Sequence, residues 1–204
     1  MSGSTPLRQL HFTAIDFESA GSAKGRTDSP VQIGLASWSI ESGHHSPFHS
    51  YLRTDQPITW SARKVHGIRD EDLVDAPNLP ELWPQIKQRL SGHIVIAHGM
   101  GTEKRFLRAF PGHRFGPWVD TLLVARAAYP QLPSHSLSDL CDALQISEAV
   151  ATMQPDRKWH DALFDAVASL AVLEKIVSDH ELSDRGLDLL IHPDISHWSS
   201  LRRR

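Results

Sequence analysis

Residues 10–18, LHFTAIDFE, constrain this chain more than any other stretch. They form an apolar run of strand formers that ends on two acids, Asp16 and Glu18. Side chains two apart on a strand point to the same face. Asp16 and Glu18 are therefore expected side by side at the end of a buried strand, where each raises the other's pKa. A cation between them relieves that repulsion, so the pair is read as a divalent-metal site that the rest of the chain completes.

The length, 204 residues with 40% hydrophobic, suits one sizeable core in one domain. Cys141 is the single cysteine, which excludes an internal disulfide and a thiolate zinc site and fits a reducing, cytoplasmic setting. No run approaches the roughly 18 apolar residues of a membrane helix, and the first ten residues show no secretory signal. A net charge of −3 argues against a bulk DNA-wrapping role but leaves room for a site whose positive charge comes from ions.

Residues 1–9 read as a flexible N-terminus, 10–180 as the main domain and 181–204 as a C-terminal extension ending in Arg202, Arg203 and Arg204, a solubilising tail. After the first strand, Gly- and Ser-rich residues 19–29 form a loop. Residues 31–40 and 47–53 read as strands joined by a turn near Ser42 and Gly43. Residues 54–76 look irregular. A helix is expected over 80–90, where Pro84 fits only in the first turn. A buried strand over 93–98 is expected parallel to the first, followed by a helix over 102–110. Residues 118–120 form a last short strand. Helices are expected over 121–128 and 136–144, a loop over 147–159, and the clearest helix over 162–178, with Ala166, Leu170, Leu173 and Val177 as its stripe. The order predicts an α/β domain with a mixed sheet.

Three more positions bear on the acidic pair. Glu103 opens a helix, Asp165 lies near the start of the late helix, and His160 precedes Asp165 by five residues. Five helical steps leave two side chains about 140° apart, so for both to serve one site His160 must stand in the loop ahead of the helix. Four carboxylates carry −4, which two Mg²⁺ or Mn²⁺ ions balance, and hard oxygen ligands suit either metal. Two ions about 4 Å apart can activate water and stabilise a leaving oxygen at phosphorus. A loop histidine then suits the role of general base.

FTAIDFES, AHGMGTEKRFL and HDALFDA resemble the three motifs of the DEDDh (DnaQ-like) 3′→5′ exonucleases, the family of the polymerase III proofreading subunit. VHGIRDEDLVDAP, VDTLLVARAAYP and SHSLSDLC are similar to the connecting text of its epsilon-like members, so the resemblance covers residues 12–176. It implies a ribonuclease-H-like fold with a central five-stranded mixed sheet. It also implies 3′→5′ removal of nucleoside monophosphates from single-stranded DNA or RNA ends with two Mg²⁺ or Mn²⁺ ions. By the same resemblance Asp16, Glu18, Glu103 and Asp165 match the metal-binding acids and His160 the general base. The second motif departs from the family's His-Asn-Ala-x-Phe-Asp: Gly99 stands for the asparagine, Thr102 for the phenylalanine and Glu103 for the aspartate. The alternatives are an inactive relative serving as a nucleic-acid or polymerase-binding module, and a phosphodiesterase for very short oligonucleotides. A polymerase or a second copy of the chain is the candidate protein partner.

Other polar residues are read more plainly. Asp161 is an N-cap, His66 is structural or substrate-proximal, and His98 belongs to the core or lies behind the site. His44, His45 and His49 surround the hairpin rather than a metal. Lys104, Arg105 and Arg108 form a solvated face, and Cys141 belongs to the core.

Overall fold

A computed structural model describes residues 5–22 and 28–201. The Arg202–204 run falls outside them.

Strands β1 (Phe12–Ser19), β2 (Pro30–Ser39) and β3 (Gly43–Tyr51) form an antiparallel meander. α1 (Trp60–His66) and α2 (Leu79–Leu90) follow, and then β4 (Ile94–Ala97) returns parallel to β1. α3 (Gly101–Leu107) leads to β5 (Trp118–Asp120), parallel to β4, giving a five-stranded sheet of order β3-β2-β1-β4-β5. The expected mixed ribonuclease-H-like sheet is therefore present. Because β1, β4 and β5 run parallel, their C-terminal ends share one edge, the edge at which open α/β sheets place their sites.

The remaining helices are α4 (Thr121–Ala128), α5 (Leu137–Ala143), α6 (Ser147–Met153), α7 (Ala162–Asp179), α8 (Asp188–Ile191) and α9 (Ile195–Leu201). The alternation of β1 divides the core. Phe12 and Ala14 pack in the cluster that holds α7, whereas Ile15 and Phe17 join Leu82, Ile86 and Phe106 on the other side of the sheet. α7 is more than a stripe. Ala162, Leu163, Phe164, Val167, Ala168, Ala171, Val172 and Ile176 are buried as well as the predicted positions, so the helix is covered on nearly every side. A helix apolar all round is a core helix.

Several expectations need correction. Residues 147–159 are not all loop. Ser147–Met153 is helical, and its single buried residue, Val150, packs in the α7 cluster. The irregular 54–76 stretch contains α1, capped by the Thr59 side chain, and a 3₁₀ turn over Asp70–Leu73. Pro84 lies past the first turn of α2, and an Asn78–Glu81 capping box with Pro80 fixes the start instead. Leu7 is fully buried, and the N–H groups of Leu7 and Arg8 donate to the carbonyls of Arg185 and Ser183. The 181–204 extension shares the main core through Leu190 and Trp198, both fully buried.

Candidate active site

Asp16 and Glu18 continue the Phe12–Ala14 face of β1 beyond the packed core, towards α7. Opposite them on β2 stand Gly34 and Gln32 in register. A Cβ on Gly34 would lie 2.2 Å from the backbone of Ala162 and Leu163, so only glycine lets the first turn of α7 settle here. That contact brings Asp165 over the acidic end of β1. His160 lies ahead of α7, as its spacing required, and adopts φ +65°, an uncommon value for a side chain with a Cβ. Its N–H donates to Asp165 Oδ2 at 3.3 Å, and its imidazole is exposed.

Glu103 arrives from the neighbouring parallel strand, in the first turn of α3. The β4–α3 turn is held by Asp120. Its Oδ1 accepts from the N–H of Gly99 at 2.9 Å and of Leu122 at 3.0 Å, and its Oδ2 accepts from the N–H of Met100 at 3.2 Å. Gly99 has φ +80°, a left-handed conformation glycine adopts without penalty. His98 braces the same turn from behind. Its Nε2–H donates to the His135 carbonyl at 2.9 Å and its Nδ1 accepts from the Thr121 hydroxyl at 3.0 Å. Burial lowers its pKa and keeps that neutral tautomer.

Asp16 and Glu18 both feel the charges of Asp165 and Glu103. Burial and then the charges of Asp165, Glu103 and Glu18 hold Asp16 well above the usual carboxylate range. Burial, with Asp165 the largest charge contribution, pushes Glu18 up to about 8. Burial also pushes Glu103 up to about 7, Asp120 adding to the rise and Arg105 offsetting it. Asp165 rises to about 7 for the same first reason, opposed by the His160 N–H.

Whether these groups suit a divalent cation can be tested on their unused atoms. Glu103 Oε2 and Asp165 Oδ1 are buried with no hydrogen-bond partner. A native fold seldom leaves such oxygens without a reason. One ligand atom from each of Glu18, His160 and Asp165 lies within 4.8 Å of the others. Hard oxygens, raised pKa values and unclaimed lone pairs all fit Mg²⁺ or Mn²⁺.

Beside His160 opens a cavity of about 490 Å³, lined by Tyr51, His66, Arg157, Lys158 and Asp161 among others. His66 is fixed in it. Its Nδ1 accepts from the Ile68 N–H at 3.0 Å, so its Nε2–H donates to the Ser19 carbonyl at 3.1 Å. Asp161 caps α7 as expected. His44 pairs with Glu174, His45 bonds Gly43 and His49 bonds Gln32, so the hairpin histidines are each engaged separately. Arg105 is tied to Asp28 at 2.9 Å, Lys104 lies over the Trp118 ring, and Cys141 is buried.

Three contributors escaped the sequence reading: Asp120, Gly34 and Gln32. Each left a faint trace. Asp120 immediately precedes an apolar helical run, and Gly34 and Gln32 interrupt an otherwise apolar strand.

A meander followed by two parallel strands, with acids gathered at their common end, defines a nuclease of the ribonuclease-H-like class. The chain belongs to the RNase_T exonuclease family, whose model matches residues 13–173. The DEDDh, DnaQ-like resemblance stands with it. The DNA polymerase III subunit epsilon-like protein of Rhodobacter capsulatus is 28% identical over 190 residues, covering 90% of this chain and 26% of the relative. The PolC-type DNA polymerase III of Bacillus cereus is 26% identical over 153 residues, 72% of this chain and 10% of the relative. The chain thus spans only about a tenth to a quarter of these relatives. Among solved structures, Exonuclease X in complex with 5′ overhanging duplex DNA superposes with TM-score 0.72 at 22% identity, covering 88% of this chain and 99% of that one. The nuclease domain of 3′hExo, a DEDDh family member bound to rAMP, gives 0.70 at 14%, with 90% and 98% covered. At these identities the likeness is one of fold. No helix among the described residues is long and apolar enough to cross a membrane.

Proposed function

We propose that this chain is a divalent-metal-dependent 3′→5′ exonuclease that removes nucleoside monophosphates from single-stranded nucleic-acid ends. The observation that carries the reading is the convergence of Asp16, Glu18, Glu103 and Asp165 with two buried, unpartnered carboxylate oxygens, beside the exposed loop residue His160. The family membership and the DNA- and nucleotide-bound neighbours agree with a nucleic-acid substrate.

Asp16 and Glu18 are the fixed ligands, set on the sheet. Glu103 and Asp165 close the ligand set from α3 and α7. Two Mg²⁺ or Mn²⁺ ions held there would neutralise the scissile phosphate and lower the pKa of a water. His160, standing in the loop ahead of α7, is placed to take the proton of a water that attacks phosphorus. The bond from phosphorus to the 3′ oxygen of the preceding nucleotide breaks, and that oxygen leaves with the shortened strand. The partial burial of the acids lowers the local dielectric, which strengthens the charge interactions among them.

The test is a 5′-labelled single-stranded oligonucleotide incubated with Mg²⁺ or Mn²⁺. A ladder shortening from the 3′ end is expected. Intact substrate with either ion between pH 7 and 9 overturns the reading. Matched DNA and RNA strands then settle which sugar is preferred.

A further inference from the structure

Gln32 is only 1% exposed, a lone amide between Val31 and Ile33 in β2. Its amide oxygen and both amide hydrogens are all engaged. Oε1 accepts from the Ala162 N–H at 2.9 Å. The two Nε2 hydrogens go to Asp161 Oδ2 at 2.9 Å and His49 Nε2 at 2.7 Å. Asp161 is equally committed. Its Oδ1 accepts from the N–H groups of Leu163 at 3.0 Å and Phe164 at 3.2 Å, and its Oδ2 also accepts from Arg157 Nη1 at 2.7 Å. The three leading amides of α7, which no intrahelical carbonyl can serve, are therefore all satisfied by two side chains. One of these is the usual local cap. The other comes from β2, 130 residues away in sequence.

The place of this tie matters. Gln32 is the register partner of Glu18, and Gly34, which admits the α7 backbone, is the partner of Asp16. The first turn of α7 is thus docked at two adjacent points of β2, directly across from the two acids of β1. His160 is separated from that dock only by Asp161. It stands in a left-handed conformation that the loop would not hold unaided.

We infer that Gln32 is a positioning residue for His160: its buried amide ties the start of α7 to the sheet and so sets where the imidazole stands relative to Glu18. An amide is required because the position needs an acceptor for Ala162 and donors for Asp161 and His49 together. Glutamate keeps the size and the acceptor but sets a second carboxylate against Asp161. Leucine or methionine leaves the Ala162 N–H unserved. The inference rests on the exonuclease reading for its consequence, though not for its geometry.

The experiment pairs Gln32→Glu with the double variant Gln32→Glu/Asp161→Asn. In the double variant the introduced asparagine keeps an oxygen for the N–H groups of Leu163 and Phe164 and turns its amide to the introduced glutamate. That glutamate also accepts from the Nε2–H tautomer of His49, and only the Arg157 contact to position 161 is given up. Gln32→Glu is expected to lower kcat by about tenfold or more with KM within about twofold, since misplacing a reacting group costs rate rather than binding. The double variant is expected to regain most of it. Hydrogen exchange at the Ala162 amide should quicken in the single variant and slow again in the double. Assays run at an equal interval below each variant's Tm exclude a merely structural loss, and a kcat deficit that vanishes there overturns the inference. So does a single variant with unchanged kcat, or a double variant no better than the single. If the wild-type chain cleaves nothing, the exonuclease reading fails by itself. Unchanged exchange at Ala162 in Gln32→Glu would still overturn the tie.

Discussion

His160 carries φ +65° for a residue with a Cβ, and left-handed backbone costs roughly 1–2 kcal/mol. It is held there by the capped start of α7 on one side and by its N–H on Asp165 Oδ2. Replacing it with alanine should reduce kcat by about 10²–10⁴-fold, the usual worth of a general base. Mn²⁺ affinity should change little, because the carboxylates are untouched. Single-turnover cleavage alongside Mn²⁺ titration separates the two, and an alanine variant at full rate would remove His160 from the proton transfer. Glu103 invites the opposite experiment. Its charge raises the pKa of both Asp16 and Glu18, so Glu103→Gln should relieve repulsion in ion-free protein while crippling ion binding. At pH 8 the ion-free variant is expected to melt higher, at about 2–4 °C for each kcal/mol recovered, and to cleave poorly. A lower melting temperature would show that Glu103 stabilises rather than strains the site. The acids were legible because strand alternation alone puts Asp16 beside Glu18. Gln32 and Asp120 were not, because their partners Ala162 and Gly99 lie far off in sequence and a lone polar residue in an apolar run does not say what it meets.

At the scale of elements, what could be read depended on how each one is stabilised. α7 and β2 carry long apolar patterns and were evident. α1 buries only His66 and exposes Trp60, and α6 buries only Val150. Such helices owe their existence to a cap or a neighbour rather than to an amphipathic stripe. The expected stripe on α7 was also too narrow, since the helix is enclosed by the sheet on one side and other helices elsewhere. The seat of that helix leaves no room for a side chain at Gly34. A methyl on Gly34 would sit 2.2 Å from the backbone of Ala162 and Leu163, with no flexible side chain to give way. Gly34→Ala must therefore push α7 outward by about 1 Å, enough to cost on the order of 10²-fold in rate and about 1–3 kcal/mol in stability. Activity and denaturant unfolding measured together test this. A variant that loses stability but keeps kcat would show that the α7 seat does not set the site.

The whole molecule carries the electrostatic consequence of gathering four acids at one edge of its sheet. Unfolded, these groups titrate near their ordinary values of 3.8 and 4.5, whereas in the fold Glu18 titrates at about 8 and Glu103 and Asp165 at about 7. Between those limits the folded protein binds more protons than the unfolded chain. Its stability therefore falls as pH rises, and the loss is complete only above about 8. On the proposed reading divalent ions would take the place of those protons in the folded state, so they should restore what the rising pH removes. Thermal unfolding of ion-free protein should show Tm declining from pH 5 to pH 8.5. Added Mn²⁺ should raise Tm far more at the alkaline end, where the ligands are already deprotonated, than at pH 5, where ions must displace protons. Glu103→Gln should flatten the ion-free slope by removing one of the coupled acids. An ion-free Tm that rises over this range, or an Mn²⁺ increment independent of pH, would mean that the acidic edge does not govern stability. Such a result would also weaken the metal-binding reading of Asp16, Glu18, Glu103 and Asp165, because the same crowding that raises their pKa values is what would favour a cation among them.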